Sequence, residues 1–370
     1  MRVAIVGAGI GGLALAQGLV KAGVDVRVYE RDPSPRHRKQ GYRIHISPVG
    51  EEALAAMLPD AVRRRVIATA TQPGDLVAGF DAQLNQQFEQ VYPVAGPDAV
   101  TSVDRYAFRR ALMTGLDDVL QFGKQFASYV ETPDGVEIAF ADGTSAVADV
   151  LVGADGVGSR VRGQLVPELD VLDIGVRCIY GKVPLTPAVR ETAPEAFLRG
   201  FCFASDGAGL GAAFAPVVFR EPPAEYGDYL MAVLTGTNAV LGASDEELFA
   251  MSPADLWAIV ERSVADWHPT VRELVDAGEP AAAFPITLRT CITVPSWSSL
   301  RVTLLGDAVH PMTPAAGAGA NTALWDAARL TRALTSDQDL VTYQQEVIAN
   351  SQPIVTESLH NAERMFKVSV

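Results

Sequence analysis

Residues 3–30 constrain the fold of this chain more than any other stretch. Val3-Ala4-Ile5-Val6 is a short apolar run of the kind that forms a parallel strand buried on both faces. It passes directly into Gly7-Ala8-Gly9-Ile10-Gly11-Gly12, where Gly7, Gly9 and Gly12 stand at G-x-G-x-x-G spacing. In that arrangement the first glycine permits a tight turn, the second lets backbone approach a pyrophosphate, and the third lets the following helix pack closely on the sheet. The helix N-terminus then faces the anion. Residues 13–20 are strong helix formers, Gly23 is placed to stop the helix, and residues 26–29 read as a second strand ending at Glu30. A carboxylate at that strand tip can accept both hydroxyls of an adenosine ribose. Strand, glycines, helix, strand and acid in register point to nucleotide binding, and a nicotinamide dehydrogenase with one such unit stays open at this stage.

The same run tests two other readings. Residues 3–20 are the nearest approach to a membrane span, but they fall short of the ~20 apolar residues required, and the ordered glycines do not suit a signal peptide. A second glycine cluster, Gly207-Ala208-Gly209-Leu210-Gly211-Ala212, follows turn chemistry at Ser205-Asp206 and precedes an extended-looking segment, so it reads as a hairpin or glycine-rich loop. One Rossmann unit is therefore expected. With 370 residues, 48% of them apolar and 20% charged, the chain has room for two domains, or one with a large insertion. The net charge of −14 opposes nucleic acid and anionic membranes. Arg31, Arg36, Arg38 and Lys39 gather locally and read as a solvated loop or a site for one small anion. Cys178, Cys202 and Cys291 form no paired motif and fit a reducing cytoplasm.

Two later segments repeat the strand-then-turn pattern. Residues 126–152 read as a β-meander, with turns at Asp134-Gly135 and Asp142-Gly143, leading into Val150-Leu151-Val152 and then Asp155-Gly156 with Ser159 and Arg162. Residues 302–305 form another buried strand, followed by Gly306-Asp307, His310 and a loop holding Pro314, Gly317, Gly319 and Asn321, before a helix over 322–334. Asp307 at a strand end can accept hydrogen bonds from ribose or ribityl hydroxyls, while the backbone of residues 317–321 offers N–H groups where a helix begins. Asp307 and His310 without a third ligand nearby do not make a metal site, and His310 reads as a capping or packing residue.

With these motifs in place, the sequence resembles the single-component FAD-dependent aromatic hydroxylases, the class A flavoprotein monooxygenases that include para-hydroxybenzoate hydroxylase and tetracycline-inactivating monooxygenases. The glycine motif with Glu30 is the first match. Asp155-Gly156 with Ser159 and Arg162 matches the family's D-G-x-x-S-x-x-R, and Gly306-Asp307 with His310 matches its G-D-A-x-H pattern and the glycine loop that follows. The resemblance implies an α/β fold: a Rossmann-like FAD-binding domain with an inserted, mostly antiparallel β-sheet substrate domain and a C-terminal helix. Expected domains are residues 1–75, 98–165 and 285–335 for FAD, 76–97 and 166–284 for substrate, and 336–370 as a C-terminal helical region interrupted near Pro353. Lacking a further C-terminal domain, the chain resembles the compact members.

The implied cofactor is FAD, with NADPH or NADH as transient reductant, O2 as co-substrate, and a phenolic or polycyclic aromatic small molecule hydroxylated through a flavin hydroperoxide. Epoxidation, N-hydroxylation, Baeyer–Villiger oxidation and non-catalytic flavin binding stay open. Cofactor contacts are expected at Gly7, Gly9, Gly11, Gly12, Glu30, Arg31, Arg43, Arg105, Asp155, Asp307, Pro314, Gly317, Gly319, Ala320 and Asn321, and no metal is expected. Asp104 suits a helix start, and Arg105 stands where the family has an FAD-contacting arginine. Residues 41–47 read as a strand with Ile44 and Ile46 on one face and Arg43, His45 and Ser47 on the other, beside the flavin in the family. His45 is the candidate catalytic residue, with a structural histidine as the alternative, and Arg43 the candidate for flavin or substrate contact. Arg177, Tyr180 and Phe203 are weaker candidates for the substrate pocket.

Overall fold

The apolar N-terminal run becomes the middle strand of a five-stranded parallel sheet. In the computed structural model, which describes residues 1–37, 40–96, 98–336 and 338–369, strand Arg2–Val6 is flanked on one side by Asp25–Glu30 and then Leu120–Phe122. On its other side lie Val150–Gly153 and then Val302–Leu304. Val3, Ala4, Ile5 and Val6 are all buried, as a parallel sheet covered on both faces requires: helix Ile10–Lys21 and the meander strand Ser145–Ala148 both pack against this strand. The strand order reverses its direction of growth at Arg2–Val6, and ligands in open α/β sheets bind outside the carboxyl ends of the strands at such a switch point. The long gap in sequence between the last two strands is filled by other structure.

Most of that structure is a seven-stranded sheet, in the order Phe284–Thr290, Leu172–Pro184, Tyr229–Thr237, Gly211–Val217, Gly200–Ser205, Leu76–Asp81 and Gln86–Val91. Its pairings are antiparallel except for Gly200–Ser205 with Leu76–Asp81. The glycine cluster at 207–212 is the hairpin expected, closing the turn between Gly200–Ser205 and Gly211–Val217. One face of this sheet packs against helices, with Ile179, Phe197, Phe214 and Trp257 in the core between. The helical segment 244–278 consists of three helices, Asp245–Ala250, Pro253–Ser263 and Pro269–Asp276. The opposite face carries Cys178, Ala213, Ala215, Tyr229, Met231 and Val233, and meets Tyr42, Ala315, Ala362 and Phe366 from outside the sheet.

Three elements depart from their sequence expectations. The strand over 41–47 is only Arg43–His45, because Ser47 caps helix Pro48–Met57 and Pro48 suits its first turn. The helix expected over 322–334 is Gly319–Thr335, so it begins inside the glycine loop. The C-terminal region is not interrupted at Pro353: helix Leu340–Phe366 runs through it. Packing outweighs the proline here. Tyr343 Oη donates to Leu304 O at 3.0 Å, and the Ser358 hydroxyl donates to Thr313 O at 2.9 Å, pinning the helix on both sides of Pro353. No helix among the described residues is long and apolar enough to cross a membrane.

Candidate active site

Four chain segments deliver their signature residues to one cleft at the carboxyl ends of the parallel strands. Gly7 and Gly9 follow the first strand, Glu30 and Arg31 end the second, Asp155 follows the fourth in sequence, and Asp307 follows the last. Arg105 and Arg109, from helix Arg105–Leu112, complete the lining. Gly7 has φ +108°, and a Cβ there would lie 2.3 Å from Ala154 O. A Cβ on Gly12 would lie 2.2 Å from Gly7 O, so the helix can approach the loop only without a side chain. Gly9 is different: a Cβ on it would meet nothing within 4 Å. Its bare backbone therefore leaves cleft space for a ligand. Helix Ile10–Lys21 has no side-chain cap and no acid in its first turn, so its N-terminal N–H groups and dipole are available to an anion.

The Glu30 carboxylate is anchored before any ligand arrives. Its oxygens accept from Ala8 N at 2.9 Å and Asp32 N at 3.0 Å, and Arg109 Nη2 lies 3.6 Å away. Each carboxylate oxygen keeps a second lone pair for a ribose hydroxyl. Arg109, which the sequence reading passed over, is buried and donates from Nε to Ala8 O at 2.7 Å, tying the glycine loop to Glu30. Its signal was present: it lies one helical turn after Arg105, four residues on and on the same face. Asp155 accepts from Ser159 Oγ at 2.5 Å and Arg160 N at 2.8 Å, shaping the turn at Gly156. Arg162 donates to the carbonyls of Asp307 (3.3 Å) and Ala308 (3.2 Å), joining the second and third motifs. Desolvation raises the Asp307 carboxyl above its ordinary range, against the pull of His310, Arg105 and Arg162.

The residues expected to meet the flavin ring lie outside this cleft. Gly319 and Ala320 open helix Gly319–Thr335, which has no side-chain cap, and Pro314 begins a short 3-10 turn that ends at Gly317, with φ +61°. Asn321 is occupied by the protein: its Nδ2 donates to His45 O at 3.0 Å and its Oδ1 accepts from Ser47 N at 2.9 Å. The asparagine thus fastens strand Arg43–His45 to the helix N-terminus, while Gly11 and Gly12 are buried in the first turn of helix Ile10–Lys21, Gly11 against Leu305 and Ala323 and Gly12 against Gly7 and Ala154. Burial lowers the His45 imidazole below its ordinary value, and Arg43 adds to this, so His45 is neutral at neutral pH and able to accept a proton. Arg43 is pushed down to about 10 by burial.

His310 packs, as expected, and its partner is Asp326: Nε2 to Oδ2 is 2.7 Å, with both residues fully buried. The same oxygen accepts from Gly306 N at 2.8 Å, so the pair holds the Gly306-Asp307 turn. Burial lowers the imidazole pKa, but the adjacent Asp326 carboxylate outweighs it and the net shift is upward. Of the weaker candidates, Arg177 is bound by Asp173 at 2.7 Å and Asp245 at 2.6 Å, which makes it a structural ion pair. Tyr180 and Phe203 do face the parallel-sheet side. In the basic loop, Arg31 reaches the cleft, while Arg38 and Lys39 lie outside the described residues.

A dinucleotide cleft fed by three motifs agrees with the matching family, the FAD binding domain, which covers residues 1–171 and 267–357. The chain belongs to the FAD-dependent monooxygenase family. It is 35% identical over 367 residues to the dual O-methyltransferase/FAD-dependent monooxygenase CTB3 of Cercospora beticola, covering 90% of this chain and 42% of that protein. The chain thus spans about two-fifths of the length of this relative. To the 3-amino-4-hydroxybenzoate 2-monooxygenase of Streptomyces cremeus it is 32% identical, over 89% of this chain and 77% of that one. Among solved structures, a protein of Photorhabdus luminescens subsp. laumondii TTO1 assigned as an FAD-containing monooxygenase superposes with a TM-score of 0.83 at 32% identity, covering 99% of both chains. The fold class expected from the sequence is the one observed.

Proposed function

We propose that this chain is an FAD-dependent monooxygenase that uses NADPH or NADH and O2 to hydroxylate an aromatic small molecule. The observation that carries the reading is the convergence of Gly9, Glu30, Arg105, Asp155 and Asp307 on one cleft at the switch point of the parallel sheet. The name of the Streptomyces cremeus relative, a monooxygenase of an aminohydroxybenzoate, supports an aromatic substrate. When bound, FAD supplies electron transfer from the nicotinamide and activation of oxygen.

The protein's own part is positional. Gly9 and the uncapped helix N-terminus would hold the pyrophosphate, Glu30 the adenosine ribose, and Asp307 the ribityl or ribose hydroxyls. The uncapped helix N-terminus at Gly319 and Ala320 would supply N–H donors for negative charge on a bound flavin ring. The apolar sheet face excludes water, and His45 takes the proton of a phenolic substrate. The cofactor domain is residues 1–75, 98–165 and 285–335, with the substrate domain inserted between. Three cysteines, all buried and unpaired, suit a reducing, cytoplasmic setting. Screening phenolic metabolites for stimulated NADPH oxidation by the FAD-loaded protein, followed by mass analysis of the product, tests the reading. A protein that gains no flavin absorbance on adding FAD, or a product without one added oxygen atom, overturns it.

A further inference from the structure

Arg43 is a half-buried cation with no counter-charge among the described residues. Its Nε is buried without a hydrogen-bond partner, and its guanidinium makes no ion pair with any described residue. An enclosed Nε donor without a partner is destabilising, and an acceptor brought to it relieves that cost. Its surroundings are the seam between the cofactor domain and the inner face of the covering sheet. The Arg43 N–H meets Met231 Sδ at 3.4 Å, and its charge is felt by the Tyr229 hydroxyl.

One carboxylate on this seam is already committed. Asp104 accepts from Ala107 N at 2.8 Å, from the Tyr226 hydroxyl at 2.5 Å and from the Tyr229 hydroxyl at 2.6 Å. Lys182 Nζ lies 3.8 Å from it and sits over the rings of Tyr226 and Tyr229, at 3.6 and 4.2 Å. Two cations, Arg43 and Lys182, therefore lie on this seam; Asp104 and Glu279 both act on Lys182, and no carboxylate pairs with Arg43 among the described residues. The adjoining wall is aromatic: Tyr180 packs against Tyr42 with centroids 5.0 Å apart and stacks on Phe284 at 5.4 Å. A planar ring bearing an anionic group matches both parts of this surface, since guanidinium pairs bidentately with carboxylates and π-faces stack.

We propose that Arg43 is the anion anchor of the substrate site, taking an aromatic substrate through a ring-borne carboxylate or other group ionised at neutral pH. This rests on the monooxygenase reading and narrows its substrate class. The competing receiver for the same charge is the reduced flavin ring, and the experiment separates the two.

Salicylate and its neutral counterpart salicylamide are titrated at neutral pH into the FAD-loaded protein and its Arg43→Met and Arg43→Lys variants, following the flavin absorbance. The wild-type protein should bind salicylate about tenfold or more tighter than salicylamide, as expected for one charge-assisted pair. Arg43→Met should lose this preference with salicylamide binding and FAD affinity unchanged, and Arg43→Lys should keep part of it. Wild-type protein that binds the two equally, or neither, overturns the assignment, as does a preference that survives in Arg43→Met. Loss of FAD affinity, or a shifted flavin spectrum without ligand, in Arg43→Met assigns the charge to the cofactor and equally overturns it. FAD uptake by the wild-type protein is read in the same cuvette: uptake without preference defeats the Arg43 assignment alone, and no uptake defeats the monooxygenase reading.

Discussion

The two walls of the site are built on opposite principles. The nucleotide end is made of backbone: glycines at 7, 9 and 12, uncapped helix N–H groups, and a carboxylate, Glu30, held by main-chain donors. The proposed substrate wall is made of side chains, among them Arg43, Lys182, Tyr229 and Met231, borne on strands far apart in sequence. At Gly7 and Gly12 the backbone cradle has no room for a Cβ, and it recognises a constant ligand; side-chain walls can be exchanged one residue at a time. The nucleotide end should therefore fail abruptly on substitution, whereas the substrate wall should change selectivity in steps.

The largest expected effect is at the nucleotide end. Gly12→Val forces heavy atoms against Gly7 O, and overpacking of this kind costs about 1–3 kcal/mol before cofactor loss is added. The purified variant should be colourless, with a lower Tm. A yellow Gly12→Val protein with wild-type Tm would break the contrast between the two walls. Next is Asp326→Asn, which leaves a buried imidazole without its partner and should destabilise by about 3 kcal/mol. His310 has a raised pKa in the folded state. Its pair with Asp326 therefore stabilises fully below the ordinary histidine value of 6.5, and that contribution is lost as pH rises through the raised folded value. Thermal unfolding across that range should show this pH dependence in the wild type and not in Asp326→Asn.

On the substrate side, His45→Gln should lower kcat on a phenolic substrate by roughly a hundredfold, the low end for a lost general base, and flatten the acid limb of the pH profile while FAD stays bound. An unchanged kcat and profile would remove His45 from the chemistry. The smallest effect is expected at Arg109→Met. It loosens the Ala8 and Glu30 anchor and should weaken FAD about tenfold, as measured by flavin fluorescence, with substrate selectivity unaltered.

This contrast also explains what could be read in the sequence. A backbone cradle needs particular residue types at fixed local spacing, so the strand before Gly7, the acid at Glu30 and the turns at Asp155 and Asp307 were visible one motif at a time. Arg109 was within reach by helical spacing from Arg105. The Asp104 cluster was not, since Asp104 and Tyr229 lie 125 residues apart and neither belongs to a local pattern. Asn321 was placed near the cofactor by its motif, but its amide holds strand Arg43–His45, and only the folded register shows that. Proline chemistry suggested a break at Pro353, yet the anchors at Tyr343 and Ser358 lie on other segments, and no helix propensity encodes them.

The interleaved order of the parallel sheet has a consequence for how the protein is made. A ribosome releases the strands Arg2–Val6, Asp25–Glu30, Leu120–Phe122 and Val150–Gly153 early, but the edge strand Val302–Leu304 and the turn at Asp307 only after the entire covering sheet. The nascent sheet must wait with one flank of Val150–Gly153 unpaired, and long-range parallel pairing of this type is slow. Cofactor present during synthesis would meet a half-built cleft, so holoprotein yield should depend on FAD supply after chain release rather than during elongation.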